Sequence, residues 1–454
     1  MVTIAIDYGR NGLDVQIPKG YATEILRAGQ PAPLADPLSA IRAALRKPIG
    51  SAPLADECLA AALKEDQRGG SDHRPEELRV GIVFNDVSRA TPNELIIPAI
   101  VGELLEVGVQ SENISLFNAT GTHRMSPRAE LEETLSPDLV RDFRIVQNDC
   151  EAPGAHRFVG TTTGGTEVRI LEEFLDQDIR IATGFIEPHF FAGFSGGGKA
   201  VVPGLAHLHT ILHNHRAHHM DHPDATWGKT VGNPLWEDLA EAASFADPIF
   251  LVNVAMTDSK EIAAVFAGDR RAAHRAGCAF VADHSFAPVD RQFDIVVTSN
   301  AGYPLDLNLY QAVKGMSAAA RIVRPGGEII VAAECWDGLP SHGLFGKLVT
   351  EAASPEALLS QLHTEEWAVR DAWQAHIFAL LRQKARITLV SSGLGPDDVP
   401  EALCSWAPTV EEALKAAAQS RPAGGGSEPD GAPSLCVLPQ GPLTIPTLSM
   451  PPSA

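Results

Sequence analysis

The sequence feature that most constrains the fold is an alternation of short apolar runs with helical stretches. Residues 79–84 are an apolar run that predicts a buried strand, residues 92–105 have the pattern of a helix, and residues 114–117 predict the next strand. A helix that connects two buried strands is typical of a parallel sheet with helices on its faces. We therefore predict an α/β fold.

The alternation continues along the chain and predicts two α/β domains with mostly parallel sheets. It indicates further strands and helices at residues 143–146, 181–186, 205–219, 249–255, 269–282, 294–298, 305–322, 328–333, 386–390 and 409–419. A hairpin is predicted from residues 3–7 and 13–17, which alternate around a glycine-rich turn.

We place the N-terminal domain at residues 1–287 and the C-terminal domain at residues 288–433, with an active-site cleft between them. Glycine and proline make residues 421–433 a flexible linker by composition. We expect the last strand, within residues 434–454, to return to the first domain.

Composition excludes several classes of partner. With 36 basic and 57 acidic residues, the net charge of −21 opposes binding to nucleic acid or to anionic membranes. The six cysteines form no C-x-x-C pair, which argues against a zinc ribbon or a disulfide framework. The start of the sequence lacks the pattern of a signal peptide, and no run approaches the ~20 apolar residues of a membrane span. We expect a cytoplasmic protein.

Polar residues collect directly after two of the predicted strands. Residues 85–92 follow the first strand and residues 118–124 follow the second. Open parallel sheets bind their ligands at the carboxyl ends of the strands. We therefore expect both loops to line one crevice, together with a glycine-rich turn at residues 193–200.

That turn reads G-x-x-x-x-G-K, but Ala200 stands where a nucleotide-binding P-loop needs Ser or Thr to hold magnesium. The turn also does not follow its apolar strand directly. The better interpretation is a turn whose glycines allow a ligand to approach the backbone, with Lys199 presented at its end.

A histidine-rich segment follows the turn. On a continuous helix, His215 and His219, or His218 and His222, would share a face as a metal-binding pair does. A hydrolytic zinc site would also need a glutamate in an H-E-x-x-H pattern, which is absent. The histidines of the segment whose role stays open are His207, His209, His213, His218, His219 and His222.

Taken in order, these motifs resemble the lactate racemase family of nickel-dependent 2-hydroxyacid racemases and epimerases, which use a pincer nucleotide cofactor. The resemblance extends over nearly the whole chain. Its motifs are residues 86–92, 121–124, 187–189, 193–199, 213–215, 310–314 and 373–374.

The resemblance implies a covalently attached cofactor, the nickel complex of pyridinium-3,5-bisthiocarboxylic acid mononucleotide, bound to Lys199 through a thioamide. Nickel would be held by two sulfurs and a pyridinium carbon of the cofactor and by His215. Phe191 and Tyr310 would pack against the cofactor ring. Cofactor-synthesis and nickel-insertion proteins are implied as partners.

The resemblance also assigns the substrate pocket. His123 and His189 would be paired catalytic bases. The substrate would be lined by Arg89, Gln311, Lys314 and Trp373. The implied reaction inverts C2 of a 2-hydroxyacid by proton-coupled hydride transfer, through a planar 2-oxoacid.

General chemistry agrees with these roles. A poorly acidic C–H is hard to remove as a proton, but the hydrogen can leave as hydride while a base takes the hydroxyl proton. Return of the hydride to the other face requires a base on each side, and imidazole titrates near neutral pH. Arg89 and Lys314 supply positive charge for a carboxylate. Asn85 and the extra Ala90 depart from the family pattern, so the substrate can be lactate or a related, longer 2-hydroxyacid.

Two other classes of protein stay open. Residues 324–331 suggest a Rossmann-type oxidoreductase or methyltransferase, but no G-x-G-x-x-G follows an early strand. The histidine-rich segment suggests a metal or cofactor carrier. A carrier would not need His123, Arg89 and Lys314 on separate loops.

Overall fold

The computed structural model describes residues 2–66, 74–89, 91–340, 343–364, 369–420 and 431–449. Contacts divide the chain into two compact units. The N-terminal unit comprises Gln30–His215 and His222–Asp283, and the C-terminal unit comprises Met1–Gly29, Arg216–Asp221 and His284–Ala454. The linker predicted at residues 421–433 lies mostly outside the described residues.

Both units are built from short strands and helices. The strands are β1 (Val2–Ile6), β2 (Leu13–Ile17), β3 (Ala22–Ile25), β4 (Val80–Asn85), β5 (Ile114–Ala119), β6 (Arg144–Gln147), β7 (His156–Thr161), β8 (Glu167–Leu171), β9 (Ile179–Phe185), β10 (Pro188–His189), β11 (Gly193–Phe194), β12 (Phe250–Met256), β13 (Ile262–Asp269), β14 (Phe286–Val289), β15 (Phe293–Ser299), β16 (Val323–Ala332), β17 (Arg386–Val390), β18 (Ser405–Ala407), β19 (Ser434–Leu438) and β20 (Ile445–Leu448).

The helices are α1 (Pro37–Arg46), α2 (Leu54–Asp66), α3 (Asn93–Glu106), α4 (Arg128–Thr134), α5 (Pro137–Asp142), α6 (Glu172–Leu175), α7 (Leu208–Asn214), α8 (Ala217–Met220), α9 (Pro234–Ser244), α10 (Arg270–Ser285), α11 (Leu309–Ala319), α12 (Phe345–Thr350), α13 (Pro355–Leu362), α14 (Ala372–Lys384) and α15 (Val410–Gln419). Among the residues that the structure describes, no helix is both long and apolar enough to cross a bilayer.

A six-stranded sheet forms the centre of the N-terminal unit, in the order β13-β12-β9-β4-β5-β6. Its strands are parallel except for β13, which is antiparallel to β12. Val80, Ile82, Val83 and Phe84 of β4 are fully buried, as expected for a parallel strand covered on both faces. The strand, helix and strand predicted from residues 79–117 are confirmed as β4, α3 and β5.

The C-terminal unit has a second six-stranded sheet, in the order β18-β17-β16-β15-β19-β3, whose neighbouring strands are all parallel. The strand near the C-terminus therefore belongs to the second sheet, and the prediction that it returns to the first domain is wrong. All five residues of β19 are buried, and its place between β15 and β3 covers them. Residues 1–29, which we had placed in the first domain, also belong to this unit.

The predicted N-terminal hairpin is confirmed by the antiparallel pairing of β1 with β2. Its alternating apolar side chains, among them Ile4, Ile6, Val15 and Ile17, are buried in a core that includes α15 and the second sheet. The polar side chains of the hairpin take the other face. Alternation with a period of two is the pattern of a strand with one buried face, which explains why the prediction succeeded.

Candidate active site

The loops that follow β4 and β5 meet through one short hydrogen bond. Nδ1 of His123 lies 2.6 Å from Oδ2 of Asp86. Asp86 is the first residue after β4, and His123 follows the end of the neighbouring parallel strand β5. The two polar loops are thus in contact, while the crevice that they were expected to line stays a prediction.

Asp86 is buried, and its surroundings keep it ionised. Burial alone would raise the pKa of this carboxyl group, but hydrogen bonds from His123 and Ser88 and the charges of His123 and Arg89 bring the pKa below its ordinary value. The Ser88 hydroxyl donates to Oδ1 at 2.6 Å. An ionised Asp86 accepts a hydrogen bond from the N–H at Nδ1 of His123. The neutral imidazole therefore carries its lone pair on Nε2.

This geometry identifies Asp86 as a residue whose role the sequence did not reveal. His123 has a half-exposed side chain, and a buried carboxylate behind Nδ1 stabilises the imidazolium that forms when Nε2 takes a proton. Arg89 lies in the same loop, where its backbone N–H donates to the carbonyl oxygen of Asp86. A signal was present, because Asp86 stands directly after a strand whose neighbour leads to His123.

His189 and Phe191 lie in a tight hairpin formed by β10 and β11. The backbone N–H of Ala192 donates to Nδ1 of His189 at 3.2 Å, so a neutral His189 carries its proton on Nε2. The ring of Phe191 packs edge-on against His189, with centroids 4.5 Å apart. The buried Asn233 holds this turn by donating to the carbonyl oxygen of Phe191. The resting tautomer of His189 is thus opposite to that of His123.

The glycine-rich turn presents Lys199 from a short 3-10 turn, Gly197–Ala200. Gly196 and Gly197 have φ angles of +74° and +59°, which favour glycine. A Cβ atom at Gly197 would come within 2.7 Å of the ring of His274, so the turn lies directly against that ring. The carbonyl oxygen of Lys199 accepts the N–H of Gly204.

His274 is a rigid support beneath this turn. Its Nε2 lies 2.9 Å from the carbonyl oxygen of Ser195, and Trp236 stacks on its ring. Burial, together with the nearby charges of Arg270 and Lys199, lowers the pKa of His274 to about 4. A neutral, immobile imidazole therefore fixes the backbone that carries Lys199.

The Lys199 turn is also connected to the loop of His123. The carbonyl oxygen of Gly204 accepts the N–H of Gly121 at 3.0 Å, and a Cβ atom at Gly204 would meet Ala119 at 2.7 Å. The loop of His123 and the turn of Lys199 are thus linked through the backbone of Gly204, and the loop after β4 reaches them through Asp86 and His123.

His215 directly follows α7, and one hydrogen bond fixes which of its ring nitrogens carries the proton. Its Nδ1 lies 3.0 Å from the carbonyl oxygen of Ile211, which fixes the proton on Nδ1 and leaves the lone pair on Nε2. Metal-binding histidines donate their other ring N–H in this way. The edge of the Phe191 ring packs against His215, with centroids 5.6 Å apart. Phe191 therefore contacts both His189 and His215.

The predicted continuous helix over residues 205–219 is wrong. It is interrupted between α7 and α8, so neither predicted histidine pair shares one helical face. The break has a tertiary cause, because the amide of Asn214 is buried against Asp238 and Leu235 while residues 216–221 belong to the other unit. Within the described ranges, no group of three or more His, Cys, Asp or Glu side chains is arranged to hold a metal ion.

The residues fit a cofactor that brings most of its own metal ligands. One protein imidazole, His215, has its lone pair on Nε2, and one amine, Lys199, stands on a supported turn. Such a set suits a lysine-tethered organic group whose metal needs a single protein ligand.

The predicted residues of the C-terminal unit cluster at the start of two helices. Tyr310 and Gln311 lie in the first turn of α11, where the Asn308 side chain accepts the N–H of Gln311. Lys314 follows one turn later. Nε1 of Trp373, in the first turn of α14, donates to the hydroxyl of Tyr310 at 3.2 Å. Tyr310 and Trp373 are thus in contact, while the predicted cleft between the two units stays a prediction.

Comparison with known proteins gives consistent matches over most of the chain. The model of the lactate racemase N-terminal domain matches residues 8–228, and that of the lactate racemase C-terminal domain matches residues 289–441. The chain is 33% identical over 422 residues to proteins named lactate racemase from Thermoanaerobacterium thermosaccharolyticum and Lactiplantibacillus plantarum. These matches cover 92% of this chain and 94% and 95% of the two relatives.

Solved structures give matches that agree with those of the sequence comparisons. The lactate racemase apoprotein from Thermoanaerobacterium thermosaccharolyticum superposes with a TM-score of 0.87 at 30% identity, covering 98% of this chain and all of that one. A protein from Thermotoga maritima shares the fold, with a TM-score of 0.62 at 19% identity over 87% of this chain and 97% of its own. The chain belongs to the lactate racemase family and is an isomerase.

Proposed function

We propose that this protein inverts C2 of a 2-hydroxyacid, lactate or a close relative of it, with a nickel-pincer nucleotide attached to Lys199. The observation that carries the proposal is the Asp86–His123 pair, in which a buried carboxylate holds a half-exposed imidazole as a base. A metal or cofactor carrier would not need such a pair. A Rossmann-type oxidoreductase does not fit a chain that matches the two lactate racemase domain models.

In this proposal Lys199 would anchor the organic cofactor and His215 would supply a ligand to its nickel. Phe191 packs against His215, and it would lie against the cofactor ring. Tyr310 is the second residue that we propose for contact with that ring. When bound, the cofactor supplies an electrophilic carbon that can take up and return a hydride. Cofactor-synthesis and nickel-insertion proteins would load the site.

The proton transfer follows from the geometry of His123. Nε2 carries the lone pair and accepts the hydroxyl proton of the substrate, which creates an imidazolium ion next to the ionised Asp86. The Asp86 carboxylate stabilises this charge and keeps the ring in the required tautomer. A positioned base of this kind contributes about 10²–10⁴-fold to a rate.

His189 serves the other face of the planar 2-oxoacid. Its resting tautomer carries the proton on Nε2, because Nδ1 accepts the N–H of Ala192. The two histidines therefore begin a turnover as different tautomers. Nε2 carries a lone pair in His123 and a proton in His189. For its own enantiomer, His189 must either gain a second proton before it donates from Nε2, or move its proton to Nδ1 before it accepts at Nε2. In both cases the protonation of Nδ1 breaks the hydrogen bond from Ala192.

The substrate carboxylate requires positive charge in a protein with a net charge of −21. Arg89 is suited to bind it in a bidentate manner, and it lies in the same loop as Asp86. The other proposed substrate contacts are Gln311, Lys314 and Trp373. Trp373 is buried and fixed against the hydroxyl of Tyr310, so it can limit the size of the substituent at C2.

The experiment is to produce the chain together with cofactor-synthesis and nickel-insertion proteins and to measure three quantities. Intact mass spectrometry reports an adduct on Lys199, elemental analysis reports nickel, and chiral chromatography reports conversion of pure L- and D-lactate and of longer 2-hydroxyacids. We expect one adduct and about one nickel per chain, with both enantiomers converted to the same mixture. A bare lysine, or an adduct without racemisation of any 2-hydroxyacid, would overturn the proposal.

A further inference from the structure

A second cluster of histidines lies in the C-terminal unit, and one of its members is three residues from Trp373 on α14. Oδ2 of Asp221 lies 2.5 Å from Nε2 of His363, and Oδ1 of Asp221 lies 2.7 Å from Nε2 of His376. His363 directly follows α13, and His376 lies within α14. One carboxylate is thus shared by two imidazoles, and we refer to these three residues as the Asp221 cluster.

The hydrogen bonds determine the charges in this cluster. Nδ1 of His363 lies 2.6 Å from the carbonyl oxygen of Leu359, so both ring nitrogens of His363 are donors, which only an imidazolium ion allows. The pKa of His363 is raised accordingly by the bonds to Leu359 and Asp221. His376 is almost completely buried, and burial lowers its pKa, so it donates to Asp221 as a neutral ring. The ion pair between His363 and Asp221 makes this contact a charge-assisted one.

The cluster does not serve as a metal site. Both nitrogens of His363 carry protons that they donate, so this ring has no lone pair for a metal. The two hydrogen bonds instead hold Asp221, which directly follows α8, against α13 and α14 of the C-terminal unit.

The position of Asp221 in the sequence relates these hydrogen bonds to His215. The chain leaves the N-terminal unit directly after His215 and returns to it at His222. On the upstream side, Asn214 donates to Asp238 at 2.8 Å within the N-terminal unit. His215 is therefore the last residue of the N-terminal unit before a six-residue segment whose end, Asp221, is hydrogen-bonded within the C-terminal unit.

We propose that the Asp221 cluster positions His215 for nickel by fixing the downstream end of the segment that follows it. The proposal rests on the proposed function, in which His215 is the nickel ligand. A metal ligand must be held within a fraction of an ångström, and the groups that support it commonly change metal affinity by about 10–100-fold when they are removed. Asp221 is thus a positioning residue that acts through the backbone of residues 216–220.

The test uses two variants of Asp221 and one matched control. Asp221→Ala removes both hydrogen bonds, and Asp221→Asn keeps one acceptor for His376 but loses the charge that pairs with His363. The control is Glu328→Gln, which removes a buried carboxylate that binds Arg386 and Thr388 in the same unit. A purely structural role predicts that all three variants lose stability and behave alike in every other respect.

The first measurement is the release of nickel from loaded protein into excess chelator, followed by elemental analysis and by the absorption band of the bound nickel. We expect Asp221→Ala to release nickel at least ~10-fold faster than the unmodified protein, Asp221→Asn to be intermediate, and Glu328→Gln to be unchanged. Equal release rates in Asp221→Ala and Glu328→Gln would overturn the proposal.

The second measurement does not depend on nickel. Amide hydrogen exchange in protein without cofactor should increase in residues 214–220 of Asp221→Ala and not in those of Glu328→Gln. If exchange in that segment does not change, the hydrogen bonds of Asp221 do not hold the segment and the proposal fails. If exchange rises as expected but His215→Ala keeps its nickel, Asp221 does hold the segment. In that case the assignment of His215 as the nickel ligand is wrong.

Discussion

Gly197 lies against the imidazole ring of His274 so closely that a Cβ atom would come within 2.7 Å of Cδ2 of that ring. Its φ angle of +59° adds a second reason for glycine. The turn that carries Lys199 is thus pressed onto a buried side chain that cannot move aside, because that ring is itself stacked on Trp236.

Replacing Gly197 with alanine should therefore disturb Lys199 as well as the stability of the fold. We expect Gly197→Ala to lower the free energy of unfolding by about 2–4 kcal/mol, from the positive φ angle and the steric overlap together, and to reduce cofactor attachment. Gly165→Ala is the control, since Gly165 has φ +86° and no atom within 4 Å of a Cβ. It should lose only about 1–2 kcal/mol and keep full attachment by intact mass.

His274 should make the stability of the protein depend on pH below neutrality. Burial lowers its pKa from 6.5 to about 4, so between these pH values the unfolded chain binds a proton that the folded protein does not. The free energy of unfolding should fall as the pH falls through this window, by about 3 kcal/mol at ~1.36 kcal/mol per pKa unit.

The measurement is urea unfolding at pH 7 and pH 4.5 of the unmodified protein and of His274→Gln. The glutamine amide can still donate to the carbonyl oxygen of Ser195, but it does not titrate. We expect the variant to lose less stability on acidification than the unmodified protein. An equally steep dependence in both proteins would contradict a neutral His274.

Asp86→Asn should lower turnover far more than substrate binding. The amide cannot compensate the charge of an imidazolium at His123, and its NH₂ group can impose the wrong tautomer. We expect kcat to fall about 10²–10⁴-fold with a small change in KM, measured by chiral chromatography. Asp178→Asn, which removes the carboxylate that pairs with the exposed Arg79 side chain, should leave kcat unchanged.

Lys199 and His215 should fail in different ways. Lys199→Ala should abolish covalent attachment of the cofactor, which intact mass reports. His215→Ala should keep the organic adduct on the lysine but lower the nickel content by elemental analysis. Full nickel occupancy in His215→Ala would point to another ligand, such as His213.

The two bases should be distinguishable in single half-reactions. Overall turnover falls equally in both directions when either histidine is lost, because the equilibrium cannot change. We would mix His123→Gln and His189→Gln, each loaded with cofactor, with each pure enantiomer and follow formation of bound 2-oxoacid. Each variant should be impaired about 10²–10⁴-fold for one hand and much less for the other. Equal loss for both hands in both variants would favour one shared base.

The sequence predicted best those elements whose signal is local. The strands β4, β5 and β15 are continuous apolar runs, and the β1–β2 hairpin alternates around glycines, so each was found near its true bounds. The β7–β8 hairpin was missed because Arg157 and Phe158 are exposed and its apolar pattern is weak. The placement of β19 failed because its partner β3 lies at the other end of the chain.

The candidate site was likewise predictable only where its residues are close together in the sequence. The loop of His123 and the glycine-rich turn follow from residues that are adjacent in sequence. The role of Asp86 depends on a hydrogen bond between residues 37 positions apart, and the Asp221 cluster joins residues separated by 142 and 155 positions. Pairings of this kind are set by the packing of the strands and helices, and local periodicity contains no information about them.

The parallel pairing of β3 with β19 has a consequence for the newly made protein. Thr23 pairs with Leu435, so more than 400 residues must be translated before β3 finds its neighbour. At ~5–20 residues per second, the ribosome needs about 20–80 s for that stretch. During this time β3 of the nascent chain presents unpaired backbone groups, which favours association with other chains. The N-terminal unit can fold once residue 283 has emerged, whereas the second sheet must wait for release of β19, and a chaperone that shields the first thirty residues would raise the yield of native enzyme.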